Sequence, residues 1–202
     1  MEILNLFPTA VLQDNLGKDF TDAEQASFSK LQFQTRGNAE NTTSVSSEIL
    51  ERPEFAALKQ FCLDKTKFYM KNILAVPDTV EPYITLSWLN FTNKGQQHHR
   101  HAHSNSILSG VFYIHAKKDM DKIHFFKDRY VAIDLVSTSY NPFNSETWWV
   151  PVGTGDIVIF PSSLCHGVIP TNNDHTRVSL AFNVFVRGEI GSRSDLKWLN
   201  IK

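Results

Sequence analysis

The most distinctive stretch of the chain is Gly95–Gly110, which reads GQQHHRHAHSNSILSG. Four of the chain's eight histidines lie at positions 98 to 103, just before an apolar run that begins at Ile107. His101 and His103 are two residues apart, so on an extended backbone they project to the same side. Two imidazoles on one face at a strand end are a common way to hold a transition metal.

The HxH pair alone is a weak signal, because histidine-rich surface loops are about as common as metal sites. We interpret His98 and His99 as solvated, or as supporting the ligands from outside. A third candidate ligand, His166, follows a predicted strand in the segment FPSSLCH (160–166). Its neighbour Cys165 is predicted to pack rather than to bind metal.

An arginine and a serine stand on the strand that follows. In TRVSLAFNVFVRG, alternation places Val178 and every second residue after it on one face. Arg177, Ser179, Ala181 and Asn183 share the other face. A guanidinium holds a carboxylate through two parallel hydrogen bonds, and a nearby hydroxyl adds a third. The pair therefore predicts an anion site, with an exposed arginine in a salt bridge as the alternative.

Short strands fill the chain beyond Pro77. They are rich in β-branched and aromatic residues and are separated by Gly, Pro, Asn and Asp. Helices before and strands after favour an antiparallel sandwich or small barrel over alternating βαβ units. The predicted strands are Tyr83–Phe91, Ile107–His115, Lys122–Phe126, Tyr130–Leu135, Thr147–Val152, Asp156–Phe160 and Arg177–Val186.

The first part of the chain has a helical pattern. Apolar spacing predicts helices from Phe20 to Phe33 and from Pro53 to Leu74, joined by the polar segment RGNAENTTSVSSE, which is interpreted as a loop. A length of 202 residues supports one sizeable core. We expect a single domain over 1–202, with a helical N-terminal buttress at 1–80 and a core at 81–190.

Composition excludes several classes of protein. A formal net charge of -1 gives no overall attraction to nucleic acid or to an anionic membrane. No apolar run reaches the ~18 to 20 residues of a membrane span. Two cysteines cannot form a disulfide framework, and the start of the chain lacks the pattern of a secretory signal. A cytoplasmic location is the expectation.

Taken together, HAHSNSILSG, FPSSLCH and RVSLAFN resemble a known family over residues ~83 to 187. The chain resembles the double-stranded β-helix (jelly-roll) oxygenases that use Fe(II) and 2-oxoglutarate, whose usual pattern is HxD…H…RxS. It is most similar to a branch found in bacteria and marine phages, with HxHxxSxxSG and FPSxLxH motifs. The resemblance implies a mainly β fold with N-terminal helices and a double-stranded β-helix core.

The resemblance also implies a metal site. His101 and His166 match the two iron-binding histidines of the family. His103 stands where the family at large has an aspartate, so it departs from the usual triad of two histidines and one carboxylate. It either ligates or stands aside while water completes the shell, and we favour ligation.

The cosubstrate site follows from the same comparison. Arg177 matches the residue that pairs with the distal carboxylate of 2-oxoglutarate, Ser179 its companion hydroxyl, and Tyr113 a position that often reaches the cosubstrate. The implied activity uses O₂, hydroxylates an unidentified small-molecule or peptidyl substrate, and converts 2-oxoglutarate to succinate. A homodimer is left open.

Two other readings compete with this one. A cupin-type metal enzyme also has Gly-x5-His-x-His, which Gly95 to His103 fits. A cupin would also have a glutamate near Ile107 and a glycine before His166, and this chain has neither. The cupin reading also leaves the Arg-x-Ser pair unexplained. A non-catalytic binding module on the same barrel is the third reading. The adjacent Trp148 and Trp149 are expected to face opposite sides of a strand, either with one in the core and the other in a substrate groove or with both packed in the core.

Overall fold

A computed structural model describes residues 1–38, 40–127, 133, 135–170 and 174–202. Over these residues the chain forms two α-helices and twelve β-strands, and two 3₁₀ turns, Ile49–Glu51 and Pro53–Phe55, lead into the second helix. In chain order the elements are β1 Leu12–Asn15, α1 Asp22–Leu31, β2 Thr35–Asn38, β3 Asn41–Ser44, α2 Ala56–Asn72, β4 Glu81–Thr92, β5 His98–His101, β6 Leu108–His115, β7 Lys122–Phe126, β8 Thr147–Pro151, β9 Asp156–Pro161, β10 His166–Val168, β11 Arg177–Ile190 and β12 Leu199–Ile201.

The strands form two antiparallel sheets. The large sheet has the order β1-β9-β6-β11-β4-β3-β2, with β12 paired to the far part of β11. The small sheet has the order β5-β10-β7-β8. Strand β11 is the centre of the large sheet, since it pairs with β4 along one edge and with β6 along the other.

Two apolar cores lie on opposite faces of the large sheet. One core packs α1 and α2 against it through residues such as Phe28, Leu58 and Phe182. The other lies between the two sheets and includes Tyr113 from β6 and Phe125 from β7. The fold therefore has three layers, helices, large sheet and small sheet, and the helices cover the face that points away from the small sheet.

Local signals explain where the helices start. Thr21 caps α1, because its hydroxyl accepts from the backbone N–H of Glu24 (3.2 Å) while the Glu24 carboxylate accepts from the N–H of Thr21 (2.8 Å). Pro53 occupies the first position of the 3₁₀ turn before α2, where its missing N–H costs nothing. Among the described residues, neither helix combines the length and hydropathy that a membrane span needs.

Six of the predicted strands are present as β4, β6, β7, β8, β9 and β11. The seventh, predicted at Tyr130–Leu135, falls almost wholly outside the described residues. Both predicted helices are confirmed, each shorter than expected.

The loop interpretation of RGNAENTTSVSSE is wrong. Strands β2 and β3 form a hairpin within it, and β3 extends the large sheet by pairing Thr42 with Phe91 and Thr43 with Asn90 of β4. Strand β1, at the other edge, pairs with β9. The N-terminal region therefore contributes strands to the sheet as well as helices to its outer face.

Candidate active site

Three of the predicted site residues meet at the open end of the small sheet. His101 ends β5 and pairs in register with His166, the first residue of β10. The chain then turns, and the backbone N–H of His103 donates to the carbonyl of Ser162 (2.9 Å). One ligand nitrogen from each imidazole lies within 4.8 Å of the other two. We call His101, His103 and His166 the inner triad.

Hydrogen bonds set the tautomer of each ring in the inner triad. The Nδ1 of His101 lies 2.7 Å from the carbonyl oxygen of His99, and that of His166 lies 2.9 Å from the carbonyl oxygen of Leu164. The Nδ1 of His103 lies 2.5 Å from Oδ1 of Asn183. A carbonyl oxygen only accepts, so each Nδ1 carries the proton and each Nε2 keeps its lone pair.

The free Nε2 atoms are the ones that converge. Those of His101 and His103 lie only 3.1 Å apart. Two facing lone pairs repel each other unless a proton or a cation lies between them. The arrangement of donors and acceptors around the triad therefore suits a bound metal ion.

Burial keeps these imidazoles neutral. Loss of solvent lowers the pKa of His166 to about 3, and the neighbouring imidazoles add to the shift. Burial also lowers the pKa of His101 and of His103. Metal ligation requires the neutral imidazole, so at neutral pH no proton has to leave the triad before an ion binds.

A chain of serine hydroxyls supports His103 from behind. Ser109 Oγ lies 3.0 Å from Nδ1 of His103 and 2.8 Å from Oγ of Ser162, which donates in turn to Ser106 Oγ (2.8 Å). Ser106 and Ser109 are two of the three serines of HAHSNSILSG, and Ser162 belongs to FPSSLCH. The serine chain gives a physical reason for polar residues inside two otherwise apolar segments, a role that their spacing alone does not reveal.

The predicted cosubstrate residues line a pocket beside the triad. Arg177, Ser179 and Tyr113 are all buried, with 4%, 5% and 2% of their surface exposed. Ser179 pairs in register with Tyr113 on one side, so the two side chains lie next to each other across β6 and β11. The pocket is lined by Trp88, Asn90, Thr92, His98, His101, His103, Val111, Tyr113, Ile123, His166, Gly167, Val168, Arg177, Ser179 and Ala181.

The salt-bridged alternative for Arg177 does not hold. Its guanidinium donates through Nη1 to the backbone carbonyl of Lys122 (3.2 Å), and no ion pair to it is found among the described residues. The alternation predicted for β11 is confirmed. Arg177, Ser179 and Ala181 face the pocket, whereas Leu180 and Phe182 belong to the core beneath the helices.

Two residues of the pocket were missed by sequence reasoning. Asn90 and Thr92 of β4 pair in register with Ser179 and Arg177. Both are buried, and neither the Oδ1 of Asn90 nor the Oγ1 of Thr92 has a hydrogen-bond partner among the described residues; the Nε of Arg177 has none either. The alternation of Trp88, Asn90 and Thr92 on a strand adjoining Arg177 is the signal that would have identified them.

The structure also bears on the predictions for five other residues near the site. His98 is only half exposed and lines the pocket, whereas His99 is exposed. Cys165 accepts a hydrogen bond from Arg100 Nε (3.1 Å) and belongs to no group of candidate ligands among the described residues. Trp149 lines a surface groove, but neither Trp148 nor Trp149 belongs to an apolar core. Their rings stack on each other at 5.1 Å, and Trp149 stays 42% exposed.

Comparison with known proteins bears directly on this geometry. Residues 86–183 match the family model described as "Putative 2OG-Fe(II) oxygenase". This region of the chain belongs to the 2OG-Fe(II) oxygenase family. All six predicted site residues lie inside the matched region. The protein is thus a 2-oxoglutarate-dependent oxygenase with Fe(II) as its metal and 2-oxoglutarate and O₂ as cosubstrates.

Solved structures confirm the fold of this oxygenase. A 2OG-Fe(II) oxygenase-family oxidoreductase from Burkholderia pseudomallei superposes with a TM-score of 0.57 at 13% identity, over 86% of this chain and 83% of that one. HygX from Streptomyces hygroscopicus, solved with nickel, 2-oxoglutarate and hygromycin B, gives 0.57 at 14% identity, over 87% and 82%. A Pseudomonas putida prolyl-4-hydroxylase gives 0.55 at 14% identity, over 87% and 92%. The predicted jelly-roll core with N-terminal helices is confirmed.

The search of curated proteins finds no match. The family match does not favour the two alternative interpretations, a cupin-type enzyme and a non-catalytic binding module. Its site also fits the two groups that the family binds. Three imidazole nitrogens suit Fe(II), and the buried atoms of Arg177 and Thr92 that lack partners suit a carboxylate held between β4 and β11.

Proposed function

We propose that the inner triad holds the Fe(II) of this oxygenase, with His103 as a true third ligand, and that Arg177 anchors the distal carboxylate of 2-oxoglutarate. The observation that carries the proposal is the adjacency of the two sites. Arg177 and the inner triad line one pocket, and Arg177 is the only cation among its lining residues in the described part of the chain. A five-carbon diacid held at both ends fits such an arrangement.

The proposal gives a role to five residues of the pocket. Arg177 offers its Nε and Nη2 to the carboxylate, since Nη1 is already held by the carbonyl of Lys122. Ser179 and Tyr113 lie beside it as hydroxyl donors, and burial raises the pKa of Tyr113, which keeps its phenol protonated. Asn90 and Thr92 close the opposite side of the pocket on β4.

The proposed reaction is hydroxylation of an unidentified small-molecule or peptidyl substrate. Bound Fe(II) and 2-oxoglutarate supply the oxidation, in which O₂ places one oxygen atom on the substrate and the other in succinate as CO₂ leaves. The residues of the chain bind and orient these groups and keep water from them. Val111, Ile123 and Ala181 provide the apolar part of the pocket wall that excludes water.

Metal content tests the first half of the proposal. His166→Ala should abolish Fe(II) binding, because it removes the most buried of the three proposed ligands. His98→Ala and His99→Ala should retain nearly full iron content at equilibrium, as measured by elemental analysis after desalting. A His166→Ala protein that is replete with iron would contradict the ligand assignment. Full occupancy in His103→Ala, together with loss in His101→Ala, would reduce the site to two protein ligands.

Anaerobic titration of the Fe(II) protein with 2-oxoglutarate tests the second half. Loss of a desolvated bidentate partner costs on the order of 2 to 5 kcal/mol, or ~30-fold to several thousandfold in affinity. Arg177→Ala should therefore bind 2-oxoglutarate far more weakly while its iron content stays near normal. Arg177→Lys should rescue binding only in part, because an ammonium lacks the planar fork. Equal affinities in wild type and Arg177→Ala would overturn the anchor.

We also propose a cytoplasmic location and leave a homodimer as a prediction. Cys62 and Cys165 are both free thiols, and Cys62 is fully buried, which fits a reducing compartment. Light scattering of the purified protein measures the oligomeric state directly.

A further inference from the structure

A second histidine triad lies next to the inner one. His98, His99 and His101 also bring one ligand nitrogen each to within 4.8 Å of the other two, and we call them the outer triad. Their ring centroids are 4.5–5.2 Å apart. The corresponding distances in the inner triad are 4.4–5.0 Å. Strand β5 thus builds two imidazole groups of nearly equal size that share His101.

The two triads differ in their access to solvent. His99 is exposed, and His98 and His101 are half-buried. The inner triad includes His166, which is only 5% exposed. Strand β5 is also an edge strand of the small sheet, whereas β10, which carries His166, lies inside it. Of the five histidines in the two triads, His99 is therefore the one most open to an ion that arrives from solvent.

The shared residue makes the two positions exclusive. His101 donates its Nδ1 proton to the carbonyl of His99 (2.7 Å), so Nε2 is its one available ligand atom. One lone pair binds one ion, and an ion in the outer triad therefore excludes an ion in the inner triad. An ion that stayed bound to His101 would move inward by exchanging His98 and His99 for His103 and His166.

We propose that the outer triad is a second binding site for a divalent transition metal, which receives the ion from solvent and passes it to the inner triad by ligand exchange around His101. Imidazoles without a carboxylate favour Fe(II), Co(II), Ni(II) or Zn(II) over Mg²⁺ and Ca²⁺. The inference rests on the proposed inner site. It explains the two histidines of the run at positions 98 to 103 that the inner triad leaves unused.

Cobalt binding isolates the outer triad when the inner one is removed. In the metal-free double variant His103→Gln/His166→Gln, calorimetry with Co(II) should show one ion per chain, bound more weakly than in wild type. Adding His99→Gln removes a proposed ligand and should weaken that binding by at least the roughly 10- to 100-fold that loss of a ligand's hydrogen-bond partner costs. The matched control adds His115→Gln, an exposed histidine outside both triads, and should leave Co(II) binding unchanged.

Loading kinetics test the transfer in a chain with an intact inner triad. Stopped-flow absorbance of Co(II) should show slower loading in the single variant His99→Gln than in wild type or His115→Gln, with the same final cobalt content. His99 is exposed, so this variant is expected to fold, and the kinetic comparison stands even if the double variant does not.

The outcomes separate this inference from the proposed function. Loading of His99→Gln at the wild-type rate overturns the transfer, and a folded double variant without Co(II) binding overturns the outer site. Neither result affects the proposal that the inner triad holds the iron. If instead His166→Gln alone leaves Co(II) affinity at the wild-type value, the inner triad itself is wrong.

Discussion

At position 103 this chain has a neutral imidazole, whereas a carboxylate at that position would carry a negative charge. A third imidazole leaves a bound divalent ion more positive than the common set of two histidines and one carboxylate. Hydrogen-bond partners at Nδ1 hold the His103 ring in a fixed orientation. Asn183 accepts from Nδ1 of His103 and Ser109 lies beside the same atom, so Nε2 points at the other two imidazoles of the inner triad. Asn183 is therefore expected to affect metal affinity without contacting the ion.

Replacing Asn183 tests this expectation. Asn183→Leu keeps a similar volume but removes the acceptor, so the His103 ring can adopt the other tautomer. We expect Fe(II) or Co(II) affinity to fall roughly 10- to 100-fold. Asn183→Asp retains an acceptor oxygen and should bind at least as tightly as wild type. Competition with a chelator of known affinity measures both variants. Equal affinity in wild type and Asn183→Leu would show that the ring needs no partner.

Thr92 provides a test in which two measurements should move in opposite directions. Its buried hydroxyl has no partner among the described residues, and such a group costs about 1 to 3 kcal/mol. Thr92→Val keeps the shape and removes that cost, so the ligand-free protein should unfold at a higher temperature. If the hydroxyl contacts 2-oxoglutarate, the same change should weaken cosubstrate binding by ~0.5 to 1.5 kcal/mol. Stabilisation without any loss of affinity would place the cosubstrate away from β4.

On the scale of single elements, β6 depends on a glycine. Gly110 pairs with Phe182 of β11, and a Cβ at position 110 would lie 2.0 Å from Cζ of Phe182. Phe182 is fully buried in the core beneath the helices. The final glycine of HAHSNSILSG therefore allows the aromatic ring of the neighbouring strand to lie directly over the backbone of β6.

Gly110→Ala should destabilise the protein by roughly 1 to 3 kcal/mol, the typical cost of overpacking a core. Gly37→Ala is the matched control, because Gly37 also lies in a strand but has no atom within 4 Å of an added Cβ. Urea unfolding of both variants gives the comparison. A Gly110→Ala protein as stable as the control would mean that the ring moves aside without cost.

Two of the strands that the sequence failed to predict, β2 and β3, were missed for the same physical reason. Strands β2 and β3 are polar and show no apolar alternation, so their pattern is that of a loop. What holds β3 in place is tertiary. The Thr43 hydroxyl donates to the carbonyl of Leu89 (2.8 Å), and the N–H of Leu89 donates to Ser44 Oγ (3.0 Å). A hairpin stabilised by side-chain bonds to a distant strand is not visible in local sequence.

On the scale of the whole molecule, the site joins the two sheets. The inner triad comes from the small sheet and the turn after β5, and the residues proposed to bind the 2-oxoglutarate carboxylate come from β6 and β11 of the large sheet. Spacing and motif were enough to predict that these residues lie together, because each stands at a strand end or on one face of a strand. Asn90 and Asn183 required the structure, since their importance depends on which strands are neighbours and which atoms lack partners.

The dependence of global stability on pH follows from the buried histidines. Burial lowers the pKa of His166, and likewise that of His98, to about 3, whereas in the unfolded chain each keeps the ordinary value near 6.5. Between these two values the unfolded chain binds protons that the folded chain does not. Stability therefore falls as pH falls through this window, by up to about 1.4 kcal/mol per pH unit for each proton.

Metal-free protein should accordingly lose stability between pH 6.5 and about pH 5, before most carboxylates titrate. Urea unfolding with a chelator present measures the slope. His166→Gln removes one of the titrating groups, so its stability should fall less steeply with acid than that of wild type. A metal-free wild type with constant stability over this range would mean that the inner triad takes up protons in the folded state, and that bound metal must displace them.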